Sequence, residues 1–314
     1  MDRGDMKSGG GSAMLSLASL LSGQPKPAEP IPKRSLGQTG EMLSIIGFGG
    51  ILVMDENQPD ANSAVALAVD RGINYFDVAP SYGNAEDKLG PALKPFRKNS
   101  FLACKTGKRD KEGARQELES SLKKLETDHF DLYQLHAMSS VAEVEQVFGP
   151  NGAMETFIQA KKDGLVRFLG FSAHDEAAAL LAMEKFDFDT ILLPINYAAW
   201  LSGSFGPKAV KMAKEKSMGI LALKGMAHGR TPEGEEPPYN KCWYTPIPVD
   251  DPELANKAFR FTLSQGVTAA IPPGEPRFFP TALDIAGQFS EILPEEIEQL
   301  EQAAKKVVPI FETT

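Results

Sequence analysis

Cysteine is scarce: two residues, Cys104 and Cys242, in a chain of 314. Two thiols cannot build a disulfide framework or a four-thiolate metal site, so both read as reduced thiols. Long apolar runs are missing too, and none approaches the roughly 20 residues that span a bilayer. Positive charge is in deficit, with 33 Lys and Arg against 42 Asp and Glu and a net charge of −9. Phosphate backbones are bound by clustered cations, so a general nucleic-acid role is excluded. The chain has no Gly-x-Ser-x-Gly elbow for a serine nucleophile and no His-x-His or His-Glu-x-x-His pair for a metal. A hydrolase or a metal-dependent isomerase would need a metal or dicarboxylate site that the sequence does not offer, and no metal is expected.

Hydrophobic residues make up 42% of the chain, enough for a large core. The first 32 residues stand apart from it. Residues 1–7 mix charges, residues 9–11 are glycine, and residues 13–21 ("AMLSLASLL") form a short apolar stretch of signal-peptide size before a Pro-rich linker. The layout is similar to a twin-arginine export signal. However, Gly4 stands where a second arginine is expected, and Gln24 where a lipid anchor needs cysteine. A cytoplasmic extension is the favoured reading, and periplasmic export is the alternative. Residues 1–32 are therefore set aside, and residues 33–314 are expected to carry the fold.

From residue 34 onward, strand and helix patterns alternate. Gln38, Thr39 and Gly40 suit the turn of a small hairpin, and a first core strand is expected at residues 44–48. A helix over 59–71 follows, with Ala64, Leu67 and Ala68 on one face and Gly72 as its stop. The pattern then repeats, with strands at 74–78, 101–105, 132–135, 166–172, 190–196, 219–225 and 267–272, each before a helical stretch. One helix is expected to end at Gly164, and an extra C-terminal helix over 294–307 to cap the outside. Alternation of this kind with near-continuous apolar strands implies a parallel sheet covered by helices. Eight such units close most naturally into an α/β (β/α)8 TIM barrel. The alternative, an open doubly wound sheet, calls for Gly-x-Gly-x-x-Gly after the first strand, where the chain has only Gly47-Phe48-Gly49-Gly50.

Active groups of such a barrel sit at the C-terminal ends of its strands. Asp77, Lys105, His136 and Ser172 all end consecutive predicted strands, and Tyr82 lies in the loop just past Asp77. Each alone has an ordinary explanation: a tyrosine capping a loop, a surface lysine, a core histidine. Together they make a proton donor. A free tyrosine, with a pKa of about 10, gives up its proton poorly near neutrality. A neighbouring ammonium is expected to lower that pKa, with Asp77 holding the lysine charged. His136 is placed to hydrogen-bond a substrate oxygen and turn it toward Tyr82. The set suits protonation of a carbonyl oxygen as hydride reaches the carbon.

The segments "FDVAPSYGNAEDKLG" (76–90), "FLACKTG" (101–107), "DLYQLHA" (131–137) and "FLGFSAH" (168–174) resemble the aldo/keto reductases. The resemblance covers about residues 35–307. It implies a barrel that binds a nicotinamide cofactor, NADP(H) ahead of NAD(H), and acts on a small carbonyl or alcohol. It also implies that Tyr82 is the general acid and that Asp77, Lys105 and His136 complete a catalytic tetrad. Ser172 and Asn196 match positions that contact the nicotinamide amide, and Gly49 and Gly50 would let the first loop approach the cofactor. Leu223 stands near a position where many members have a stacking aromatic. Lys224 beside it is the expected pyrophosphate contact, unless it is a solvated loop lysine. Arg277 is the single cation available to a 2′-phosphate in "IPPGEPRFF" (271–279), where Glu275 opposes it. Asp284 is either an adenosine contact or a helix-surface residue. The long loop 225–252, with Trp243, is expected to wall the substrate pocket or to cover the surface, and Trp200 to line the same mouth. A second class of function is a cofactor-binding redox sensor or interaction protein with little turnover; the intact tetrad argues against it.

Overall fold

The computed structural model describes residues 30–313. The extension expected over residues 1–32 lies outside the described residues except for residues 30–32. The described chain opens on a hairpin, β1 (Lys33–Ser35) paired antiparallel with β2 (Met42–Ser44). Its turn needs left-handed backbone at Gly37 and Gly40, with φ of 52° and 83°. Strand–helix units follow: β3 (Phe48–Gly49), α1 (Gln58–Asp70), β4 (Tyr75–Asp77), α2 (Ala85–Leu93), β5 (Phe101–Thr106), α3 (Lys111–Lys124) and β6 (Phe130–Met138). Next come α4 (Val141–Phe148), α5 (Ala153–Lys162), β7 (Val166–Ala173), α6 (Glu176–Lys185), β8 (Thr190–Pro194), α7 (Tyr197–Leu201), α8 (Pro207–Glu215) and β9 (Gly219–Leu223). A small hairpin, β10 (Ala227–Gly229) with β11 (Thr245–Pro246), precedes α9 (Pro252–Leu263), β12 (Ala269–Ile271), α10 (Phe279–Gly287) and α11 (Pro294–Ala304).

The main sheet runs β12-β9-β8-β7-β6-β5-β4-β3, every neighbouring pair parallel. Ile46 bridges Ala270 in parallel, and the Gly47 N–H donates to the Ala270 carbonyl at 3.0 Å, so the last strand returns to the first. The fold is thus the expected (β/α)8 barrel, with an N-terminal hairpin and a terminal helix. Among the described residues no helix is long and apolar enough to cross a membrane.

Strand periodicity sorts the side chains into two layers. Tyr75, Ala103, Leu132, Leu192, Leu221 and Ala269 form an inner cluster with Leu36 and Leu43 of the hairpin. Phe76, Leu102, Cys104, Tyr133 and Leu135 point the other way, into the layer beneath the helices. The next inward positions toward the C-terminal ends are Asp77, Lys105, Gln134 and Leu223. The same alternation that builds the core therefore delivers three polar groups, Asp77, Lys105 and Gln134, to one mouth of the barrel. Helix starts are fixed locally: Asn57, Asp110, Ser140, Asp175 and Asp251 each accept a backbone N–H of the first turn.

Three details differ from the expectation. The strand foreseen at 44–48 is divided, because Ser44 pairs with Lys33 in the hairpin and the barrel strand begins at Phe48. The helix foreseen to run up to Gly164 is two helices, α4 and α5. Pro150 cannot donate within a helix, and a Cβ at Gly152 would lie 2.2 Å from the Val147 carbonyl oxygen, so the chain turns between them. The elements α7 and β10–β11 carry no strong periodicity and were not foreseen.

Candidate active site

The mouth of the barrel holds a cavity of about 460 Å³, lined by residues that include Gly49, Asp77, Tyr82, His136, Ser172, Leu223, Lys224 and Trp243. Tyr82 is presented by a tight turn after β4: its N–H donates to Ala79 O at 3.1 Å, and its carbonyl accepts from Ala85 at 3.0 Å. Gly83, with φ of 55°, permits that turn. The Asn84 side chain ties the turn to the neighbouring loop by accepting from the Asp55 N–H at 2.8 Å.

Beneath Tyr82, Lys105 is fully buried and ion-paired with Asp77, itself 2% exposed. The Lys105 Nζ also lies 3.4 Å from Val78 O and 5.2 Å from the centre of the Tyr82 ring. A buried pair is stable only when its remaining hydrogen-bond capacity is met. The second carboxylate oxygen of Asp77 accepts from Gln134 Nε2 at 3.2 Å and from the Tyr75 hydroxyl at 3.3 Å. Neither Gln134 nor Tyr75 was expected at this mouth. Each stands two residues before a site residue on its own strand, on the same inward face.

Electrostatics assign the protons. Burial alone would lower the Lys105 pKa, but the Asp77 carboxylate and Tyr82 override it and hold the ammonium above the ordinary lysine value. Contrary to the expectation from sequence, the Tyr82 pKa is raised rather than lowered: burial of the phenol dominates, with Lys105 drawing it back only in part. Tyr82 is therefore a loaded phenol at neutral pH. His136 is pushed down to about 2, first by burial and then by the charge of Lys105, so its ring is neutral. The Ser81 hydroxyl sits 3.4 Å from His136 Nδ1; donation there leaves the ring proton on Nε2. The Tyr82 and His136 rings meet edge to face with centroids 5.7 Å apart.

His136 owes its position to an irregularity in β6. The register against β7 shifts between Leu135 and Met138, and Ala137 adopts φ of 52°. The Ala137 N–H donates to Ser172 Oγ at 2.7 Å, while Arg109 Nη2 donates to the His136 carbonyl at 2.7 Å. Arg109 was not foreseen as a site residue.

The remaining expected positions divide. Gly49 lines the cavity, and a Cβ there would come 2.9 Å from Ile271 Cγ2. Gly50 is not among the lining residues; a Cβ there would lie 2.7 Å from Val78 Cγ2, a packing constraint. Ser172 lines the cavity, and its oxygen accepts from the Ala137 N–H. Asn196 Oδ1 caps α7 by accepting from Ala199 N–H at 2.9 Å, and its Nδ2 is buried without a partner. Asn196, unlike Ser172, is not among the lining residues of the cavity; a buried amide donor without a partner has the chemistry to meet the carbonyl of a carboxamide such as that of a nicotinamide. Arg277 lies outside the lining residues, half exposed and 3.3 Å from Glu275. Asp284 pairs with Arg71 at 3.1 Å on the outer surface. Trp243 lines the cavity, whereas Trp200 does not; it packs edge-on to Phe261 because α7 turns it toward α9. Lys224 is buried in the cavity wall with φ of 62°, which rules out a solvated loop lysine.

A parallel barrel carries a tyrosine, a buried lysine–aspartate pair and a neutral histidine at its mouth. The sequence model of the Aldo/keto reductase family matches residues 45–304, and the chain belongs to that family. The oxidoreductase YqkF of Bacillus subtilis is 30% identical over 155 residues, covering 45% of this chain and 48% of YqkF, about half of that relative's length. Aldo-keto reductase AKR11C1 from Bacillus halodurans, in its holo form, has the same fold, with a TM-score of 0.68, 20% identity, and 88% of this chain and 98% of that one covered. A Bombyx mori aldo-keto reductase (AKR2E4) in complex with NADP gives a TM-score of 0.65 at 17% identity, covering 88% of this chain and 94% of that one.

Proposed function

We propose that this chain reduces an aldehyde or ketone to an alcohol, or runs the reverse oxidation, with Tyr82 as the proton donor. The observation that carries this reading is the buried Lys105–Asp77 pair beneath a protonated tyrosine in the cavity wall. When bound, a nicotinamide cofactor supplies the hydride. Ser172 and Asn196 would hold its carboxamide, and Gly49 would leave room for it against the first strand.

The chain's own groups do the rest. His136, neutral, donates from Nε2 to the substrate oxygen and turns it toward Tyr82. Tyr82 gives up its proton as negative charge builds on that oxygen. The phenolate that results faces the Lys105 ammonium, which is fixed before the reaction begins and needs no reorganisation. Asp77 keeps the ammonium in place and is itself fixed by Gln134 and Tyr75. NADP(H) is the proposed cofactor, supported by the NADP complex of the Bombyx mori relative. Arg277 is the cation offered to a 2′-phosphate, with Glu275 competing for it.

The test is nicotinamide absorbance with NADPH or NADH against aldehydes and ketones, wild type beside Tyr82→Phe. Turnover is expected to fall about 10²- to 10⁴-fold in the variant, the usual worth of a positioned acid. Cofactor affinity, read by protein fluorescence, should stay within about threefold, less than one neutral hydrogen bond is worth. Equal losses of rate and affinity would contradict the acid role. Tight cofactor binding with no turnover by wild type on any carbonyl would favour the redox-sensor reading.

A further inference from the structure

Three cations among the described residues are buried: Lys105, Arg260 and Lys224. Lys105 has Asp77 and Arg260 has Glu296. Lys224, 8% exposed, pairs with no carboxylate among the described residues. Its Nζ lies 3.3 Å from His174 Nε2, 5.1 Å from the centre of the Trp243 ring and 5.6 Å from that of Phe311. Lys224, His174 and Trp243 all line the same cavity as Tyr82. An ammonium held among aromatic rings without a counter-ion is costly to keep. Its backbone is strained as well, a left-handed lysine. Cost and strain at one cavity-facing cation are what a site for an incoming anion looks like before the anion arrives.

We infer that Lys224 and His174 form the recognition point for a carboxylate on the substrate, so that the substrates are carbonyl compounds that carry an acid group. The inference rests on the reductase reading above and deepens it. The competing source of negative charge is the cofactor's own phosphate groups. Placement favours the substrate: Lys224 lines the same cavity as Tyr82 and His136, its charge disfavours that of His136, and the Lys105 charge disfavours its own, which puts it at the reacting end of the cavity. Burial and then Lys105 draw Lys224 down to about 7, so a carboxylate alongside would favour the charged form. His174, held down to about 3 by burial and then by Lys224, stays neutral and adds a hydrogen bond rather than a second charge.

The probes are two matched pairs: succinic semialdehyde beside butanal, and 4-carboxybenzaldehyde beside benzaldehyde, each reduced with NADPH. Wild type is expected to favour at least one acid over its uncharged partner by about 10- to 100-fold in kcat/KM, the range of a charge-assisted hydrogen bond. In Lys224→Met that ratio should collapse toward one, and Lys224→Arg should restore part of it. NADPH affinity, measured by fluorescence in all three proteins, also reports whether each variant is folded. No acid preference in a wild type that does reduce the uncharged aldehydes would overturn the inference and leave the reductase reading standing. An NADPH affinity weakened tenfold or more in Lys224→Met, with the acid ratio unchanged, would assign the lysine to the cofactor phosphates and also overturn it. Failure of wild type on all four aldehydes, despite NADPH binding, would count against the parent reading and take the inference with it.

Discussion

Replacing Lys105 by methionine separates the two directions of the proposed reaction. Oxidation of an alcohol needs Tyr82 as phenolate, ready to accept the proton; reduction needs it as phenol. Lys105 Nζ sits 5.2 Å from the Tyr82 ring centre. At an effective dielectric constant of about 20, unit charges at that separation attract by about 3 kcal/mol. Losing that support should slow oxidation near neutral pH by about 10²-fold, at roughly tenfold per 1.4 kcal/mol. The direction in pH follows from what remains. Burial and the Asp77 carboxylate both raise the Tyr82 pKa, and Lys105 opposes them. Without Lys105 the phenolate forms only at higher pH, so the rising limb of oxidation against pH should move upward. Reduction starts from the protonated form, already favoured near neutrality, and should fall less.

Methionine fills the volume but strands Asp77 as a buried carboxylate with only Gln134 and Tyr75 as partners. Removing one member of a buried pair costs about 3–5 kcal/mol. The double variant Lys105→Met/Asp77→Asn removes the stranded charge and should recover much of that stability in urea unfolding, without recovering alcohol oxidation. The assay is kcat/KM for oxidation between pH 6 and pH 10, on protein shown to be folded at each pH. A limb that stays in place, or moves to lower pH, refutes the assignment of Lys105 as phenolate support.

Two further expectations test the rest of the site. Asn196→Ser keeps an oxygen to cap α7 but cannot supply the unpartnered Nδ2; cofactor affinity should weaken about 3- to 10-fold, one neutral hydrogen bond, while thermal stability changes little. Gly47→Ala places a Cβ 2.4 Å from the Tyr75 ring, so it should cost about 1–3 kcal/mol by overpacking and reduce turnover by pushing the Tyr75 hydroxyl off Asp77; a stable, fully active variant would show that Tyr75 does not help to fix the carboxylate.

The barrel was legible in the chain because a parallel sheet buried on both faces writes itself as apolar runs, and Phe101–Thr106 is such a run with every residue buried. Asp77, Lys105 and His136 stood out for the opposite reason, since polar groups ending such runs contradict their surroundings, and Tyr82 follows in the loop just past Asp77. What escaped notice did not contradict anything. Tyr75 reads as one more aromatic in a core strand, and Arg109 as one cation in a charged loop. Lys224 was expected at the cofactor pyrophosphate or in a solvated loop; its burial was not legible, because Trp243 and Phe311 meet it only in the folded barrel. Gln134 was closer to being found. On a strand, the residue two before a site residue shares its face and lies one layer deeper. Applied to Asp77 and His136, that rule points to Tyr75 and Gln134, the two side chains that hold the carboxylate. Applied to Lys105 it gives Ala103, a buried methyl of the inner cluster with no polar group to offer the carboxylate. The second layer of a barrel site is thus readable from strand periodicity once the first layer is known, whereas contacts made by loops wait for the structure.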